Sequence, residues 1–408
     1  MNNFTYSIPT TIFFGKDQVE NLPAAIKPYA KKVLMVYGGG SIKKMGLYDK
    51  VVSLFKENDI EWVELSGVEP NPRVTSVNEG VRLCRENGVE AILAVGGGST
   101  IDCSKVIAGS VDYPGDAWDI VTGKAQITKV LPVFSILTLS ATGSEMDPMA
   151  VISNMETNDK EGIGHPDMRP KASVLDPTYT FSVSKKQTAA GTADIMSHIF
   201  EVYFSRVKDG FLQDRMAEAL LKTCIKYGVI AVNEPDNYEA RANLMWTSSW
   251  AINGLLTLGK EVAWTVHGIE HELSAYYDIT HGVGLAILTP AWMEYVLSDE
   301  TVDKFAEFGV NVWDIDKNQD KYDIAHQRLT RPATISNRWA SRPNCPNWAS
   351  AKKTEIMAEK STRGLENAYV PLTKEDIVKS TKPACNCKPC TAAGNSGCCF
   401  YFPELLVN

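Results

Sequence analysis

Six histidines occur in the chain, and three of them fall within the stretch WTVHGIEHELSAYYDITHGVG, residues 264–284. His267 and His271 are four residues apart, so a helix carries both on one face. His281 follows beside Gly282, and Asp194 and His198 repeat the four-residue spacing in GTADIMSHIFE. Imidazoles and one carboxylate brought together make a ligand set for a divalent metal. Two facing helices would bring them to one point. Each histidine taken singly also reads as a hydrogen-bonded core residue, and the spacing does not say which imidazole is left over from a four-ligand site.

The elements that must position these residues divide into two kinds. Up to about residue 180 the chain alternates between strand-like and helical stretches. Strands are expected at 11–14, 33–37, 61–66, 91–95 and 130–136, with helices at 42–56 and 73–87. VLMVY and AILAV are continuous apolar runs, as in parallel strands buried on both faces. Both run into GGGS: Gly38, Gly39, Gly40 and Ser41 after the first, Gly96, Gly97, Gly98 and Ser99 after the second. The strand at 130–136 is followed by TLSATGSE, from Thr138 to Glu145. In a parallel sheet these turns share the carboxyl edge, where ligands bind. Glycine lets the backbone approach a phosphate, and the next helix N-terminus offers free N–H groups. Glycine also simply closes strand-to-helix turns, but three such turns on one edge favour a nucleotide cofactor. The ordinary G-x-G-x-x-G fingerprint is absent.

From Lys185 the periodicity is helical, with helices expected at 194–206, 212–228, 237–255 and 266–276. The reading is α/β plus all-α: a Rossmann-like nucleotide-binding domain over 1–182 and a helical metal domain over 183–380, with the active site in the cleft between them.

A net charge of −8 argues against nucleic acid or an anionic membrane as partner. The N-terminal MNNFTYSIPTTIFFGKDQ lacks a secretion signal, and a reducing cytoplasmic location is expected. Cys84, Cys103 and Cys224 read as reduced core thiols. The other six cysteines lie beyond residue 340.

In order along residues 1 to about 327, EPNP (69–72), GGGSTIDCSK (96–105), TLSATGSE (138–145), DPTYT (176–180), AAGTADIMSHIFE (189–201) and EHELSAYYDITHGVGLAIL (270–288) resemble the iron-containing, group III alcohol dehydrogenases, and among them the clostridial-type butanol dehydrogenases. The resemblance implies a dehydroquinate synthase-like two-domain fold and a homodimer. It implies Asp194, His198, His267 and His281 as ligands of one Fe²⁺ or Zn²⁺, with His271 left free to relay protons. It implies cofactor contacts from Gly97, Gly98, Ser99, Asp102, Thr138, Leu139, Thr142 and Ser144, and from Lys160. The expected reaction is hydride transfer between a nicotinamide and a short-chain primary alcohol or aldehyde. Met146, Met149 and Leu256 are expected to line the substrate pocket.

NAD-preferring relatives tend to carry Asp after the strand at 33–37, where it binds the ribose 2′-OH. Here that place is Gly39, with Ser41, Lys43 and Lys44 following. The expectation is therefore NADP(H) over NAD(H).

Two segments leave the family pattern. Residues 328–353 hold Pro332, Pro343 and Pro346, which preclude a continuous helix, and 381–408 hold Cys385, Cys387, Cys390, Cys398 and Cys399. Both change composition abruptly and the pattern resumes between them, which favours a shifted reading frame over a thiolate cluster. If the segments are genuine, 328–353 is expected to be irregular. Two other functions remain as alternatives: a dehydroquinate synthase-like lyase, which would want a basic cluster near the ligands, and a non-enzymatic thiol-rich metal-binding protein.

Overall fold

A computed structural model of the chain describes residues 1–327 and 351–385. Residues 328–350 of the atypical stretch, and the cysteine-rich tail beyond Cys385, lie outside the described residues.

Strands β1 (Thr11–Phe14), β2 (Lys32–Tyr37), β3 (Glu61–Leu65), β4 (Ala91–Gly96), β5 (Val133–Leu137) and β8 (Ala172–Leu175) form one parallel sheet in the order β1-β8-β5-β4-β2-β3. β4 and β5 are buried at every residue, as are the last five of β2, which explains their unbroken apolar sequences. Leu34, Val36, Ile92 and Val133 pack on one face of the sheet; Val33, Met35, Leu93 and Phe134 pack on the other.

The sheet half differs from expectation in three places. The single helix expected over 42–56 is two, α2 (Ser41–Lys44) and α3 (Leu47–Glu57), because Gly46 between them is left-handed at φ +78°. β5 starts at Val133, just past Pro132, which has no N–H for a ladder. β8 and an antiparallel hairpin, β6 (Met149–Asn154) with β7 (Asp159–Gly164), were not expected. The remaining helices of this half are α1 (Leu22–Ile26), α4 (Val74–Asn87), α5 (Gly98–Ser110) and α6 (Ala117–Val121).

Every strand among the described residues precedes residue 176. Then come α7 (Lys185–Tyr203), α8 (Phe211–Asn233), α9 (Tyr238–Ile252), α10 (Thr265–Tyr277), α11 (His281–Val296), α12 (Val302–Trp313), α13 (Ala351–Lys360) and α14 (Lys374–Cys385). Residues 351–353 are thus helical, although irregular structure was expected through 353. α7 begins nine residues earlier than expected, because Ser184 caps it by accepting from the Gln187 N–H at 3.2 Å. α7 packs against α8, α9 and α11 around Ile195, Phe200, Phe204, Leu285, Trp292 and Phe308. β7 lies against α10, so the two halves meet beside the histidines. No helix among the described residues is long and apolar enough to cross a membrane.

Candidate metal centre

Asp194, His198 and Glu201 stand at i, i+4 and i+7 of α7, which places all three on one helical face; all are buried. His267, Glu270 and His271 share a face of α10, and His281 opens α11. The elements converge on one oxygen. Asp194 Oδ1 lies 3.7 Å from His198 Nε2, 3.9 Å from His267 Nε2 and 3.7 Å from His281 Nε2. Donors about 2.1 Å from a tetrahedral ion are roughly 3.4 Å from one another. Asp194 Oδ1 and His267 Nε2 are buried without a hydrogen-bond partner among the described residues. Unpaired buried polar atoms are costly, and a cation between these two satisfies both. Asp194, His267 and His281, whose ligand atoms all lie within 4.8 Å of one another, therefore fit a divalent metal, and His198 faces the same Asp194 oxygen. His271 does not touch Asp194; its ring lies 5.6 Å from that of His281.

Two carboxylates brace the imidazoles from behind. Glu201 Oε1 lies 3.2 Å from His267 Nδ1, and Glu270 Oε2 contacts His281 Nδ1. With those Nδ1 atoms protonated, both Nε2 lone pairs face inward, the arrangement that orients metal-binding histidines. Sequence reasoning missed both glutamates, although the signal was present: Glu201 continues the Asp194/His198 face, and Glu270 stands three residues after His267.

The electrostatics follow this packing. Burial would raise the Asp194 carboxyl, but the surrounding imidazoles hold it well below the carboxylate range. Burial lowers His198 to about 3. Burial also opposes charge on His267, yet Asp194 and Glu201 outweigh it and raise the imidazole to about 9. Without a metal, His267 would thus favour its protonated form at neutral pH, and a metal taken up there would displace that proton to free the Nε2 lone pair. His271 departs from expectation. Burial first, then Lys160 and the neighbouring imidazoles, push it well below its ordinary value rather than leaving it in the working range. It is a neutral imidazole.

Residues expected at the nucleotide edge gather at adjacent strand ends. Gly38, Gly39 and Gly40 follow β2, and Gly40 is left-handed at φ +98° before Ser41 opens α2. Gly97 and Gly98 join β4 to α5, with Ser99 in its first turn. Thr138 follows β5, and its N–H donates to Gly96 O at 3.0 Å. A Cβ on Gly98 would stand 2.2 Å from Thr142 Oγ1, and one on Gly97 3.3 Å from Leu139 Cβ. Asp102 and Ser144 bond to each other at 2.5 Å. Asp102 also accepts from the Val151 N–H, and Ser144 from Lys105. Lys160 lies apart from these turns, 3.3 Å from Glu270 Oε2 and 3.4 Å from His281 Nδ1. Of the expected pocket residues, Leu256 belongs to the helical core, Met146 is buried and Met149 is exposed.

The comparisons agree with this architecture. A profile described as iron-containing alcohol dehydrogenase matches residues 9–177, and one described as Fe-containing alcohol dehydrogenase family, C-terminal, matches residues 188–384. NADH-dependent butanol dehydrogenase A of Clostridium acetobutylicum is 59% identical over 386 residues, covering 94% of this chain and 99% of its own. The NADPH-dependent aldehyde reductase YqhD of Escherichia coli is 41% identical over 324 residues, covering 78% of this chain and 82% of its own. The crystal structure of NADH-dependent butanol dehydrogenase A from Thermotoga maritima superposes with a TM-score of 0.89 at 38% identity, covering 94% of this chain and 99% of that one. With matching profiles over both halves and relatives aligned along nearly its whole length, this chain is an oxidoreductase and belongs to the iron-containing alcohol dehydrogenase family.

Proposed function

We propose that the chain transfers hydride reversibly between NADP(H) and short-chain primary alcohols or aldehydes such as butanol and butanal. Asp194, His198, His267 and His281 would hold one Fe²⁺ or Zn²⁺. The observation that carries the reading is the convergence of three Nε2 atoms within 3.9 Å of Asp194 Oδ1. When bound, the metal supplies a Lewis acid for the substrate oxygen and the nicotinamide supplies or accepts the hydride. Glu201 and Glu270 keep the Nδ1 protons of His267 and His281 away from the centre. His271, beside His281 and held neutral, is placed to pass a proton between the alcohol side and solvent without storing it. The glycines at the ends of β2 and β4 would receive the cofactor phosphates. Butanol and aldehyde specificity rest on the printed activities of the relatives named above.

The NADP(H) preference rests on the open space at Gly39, where an added Cβ would meet nothing within 4 Å; Lys43, four residues on, lies over the Tyr37 and Tyr48 rings at 5.1 and 4.5 Å. The nearest carboxylate on the neighbouring strand, Glu64, is already held by Tyr37 and Tyr48 at 2.6 Å each and by Trp62 at 3.2 Å. The test is oxidation of NADPH and of NADH by butanal after iron or zinc loading. A kcat/KM at least tenfold higher with NADPH is expected. Equal values overturn the cofactor preference, and no oxidation of either overturns the activity.

A further inference from the structure

The metal-ligand helices are joined by only three residues, Asp278, Ile279 and Thr280, between the end of α10 and His281. Asp278 is left-handed at φ +48°. The sheet half reaches across to this turn with the EPNP loop. Asn71 Nδ2 donates to Asp278 Oδ1 at 3.0 Å and to Ile279 O at 3.2 Å, and Arg73 Nη2 donates to Asp278 Oδ2 at 2.8 Å. Asn71 is itself left-handed at φ +52°, directly before Pro72. Two non-glycine residues in a sparsely populated region face each other across the halves, and their side chains fix both backbones. The contacts continue inward. Ser274 Oγ donates to Glu270 Oε1 and lies 3.3 Å from Ile279 O, while Glu270 Oε2 holds His281 Nδ1. They continue outward as well, because Gly67 and Val68, just before the loop, donate to Gly38 O and Tyr37 O at 3.2 Å each. One bonded path thus runs from the glycine turn after β2 to the imidazole of His281.

We propose that Asn71 and Arg73 are positioning residues for the metal: by clasping Asp278 they set the turn that presents His281, and so tie metal affinity to the placement of the sheet half. This rests on the reading of His281 as a ligand. Neither residue touches the reacting atoms. Loss of partners that orient a metal-binding histidine weakens metal binding by about 10- to 100-fold.

The test titrates metal-free full-length protein with Co²⁺, following its visible absorption and measuring Kd against a chelator. Asp278→Gly retains the left-handed backbone at no steric cost and deletes only the clasp. Asn71→Ala deletes the other side. Each is expected to weaken Co²⁺ at least tenfold and alter the absorption band. The double variant is expected to lose more than either single variant but less than the two combined, since the Asn71–Asp278 bond is shared while the bonds of Asn71 to Ile279 O and of Arg73 to Asp278 are not. Asp278→Asn, which keeps an acceptor oxygen and tolerates the left-handed region, is expected to restore most of the affinity. Arg73→Gln leaves both strained backbones untouched and covers the case of a variant that does not fold; a threefold or greater weakening is expected. Co²⁺ affinities within twofold of the parent in the folded variants overturn the clasp while leaving the metal reading intact. A parent that binds no Co²⁺ overturns the metal reading and the clasp with it.

Discussion

At the proposed metal centre the working atoms would be side-chain nitrogens and oxygens, delivered by α7, α10 and α11 and braced by carboxylates. At the proposed nucleotide edge they would be backbone N–H groups at the ends of β2 and β4, and side chains would matter there by being absent. Asp194, His267 and Glu201 are each nine-tenths or more buried, whereas Gly39 and Gly40 open onto free space. The first region is specified by chemistry that has to be present, the second by volume that has to be missing. They should therefore fail differently, the first by loss of a group and the second by gain of one.

Removing a ligand gives the largest expected effect. His267→Ala is expected to lose bound metal and lower kcat/KM on the order of 10³-fold, since the Lewis acid supplies several kcal/mol. Metal analysis with steady-state kinetics checks it, and a variant that keeps full metal would break the assignment. His271→Ala is expected to keep its metal and lose about 100-fold in kcat, within the range for a positioned proton-transfer group. Metal loss in this variant would make His271 a ligand. On the nucleotide side, Gly98→Ala drives a Cβ against Thr142 and is expected to raise the NADPH KM about tenfold. Gly39→Ala puts its Cβ into the space read as open for the 2′-phosphate and is expected to raise the NADPH KM about threefold while leaving the NADH KM unchanged. An NADH KM raised as much as the NADPH KM in Gly39→Ala would sink that reading of the space.

The smallest expected effect concerns Glu145, which closes TLSATGSE and crosses to α9 by accepting from Ser249. Burial, only partly offset by that hydroxyl, raises its carboxyl from 4.5 to about 7. Between those values the folded protein holds a proton that the unfolded chain has released. Its contribution to stability is therefore present below pH 4.5 and falls as pH rises towards 7, by at most about 1.4 kcal/mol per pH unit. Glu145→Gln removes this dependence, and its unfolding midpoint is expected to fall less steeply than the parent's across pH 5–7.

What was legible in the sequence followed from short-range pattern. The apolar runs of β2 and β4 mark a doubly covered sheet, and the four-residue spacings on α7 and α10 mark two faces rich in ligand-type residues. The hairpin β6–β7 escaped because DKEGIG has two glycines and a single apolar side chain, Ile163, and β8 because four residues carry no period. The break at Gly46 looked like an ordinary glycine within a helical window. Nothing local marks Asn71 and Asp278 as partners, since 207 residues separate them and each reads as a turn residue.

The start of α10 has one more consequence. Trp264 before it is left-handed and offers no side-chain cap. Glu201 caps it instead, its Oε1 accepting from the N–H groups of Val266 at 2.7 Å and His267 at 2.9 Å. The first turn of this helix is thus completed by a residue 65 positions earlier, after a long loop has closed. The cap that finishes the second imidazole-bearing helix is thus a non-local contact, made only with α7 in place. On the metal reading, uptake during refolding would trail the appearance of helical structure and so report assembly of the helical half.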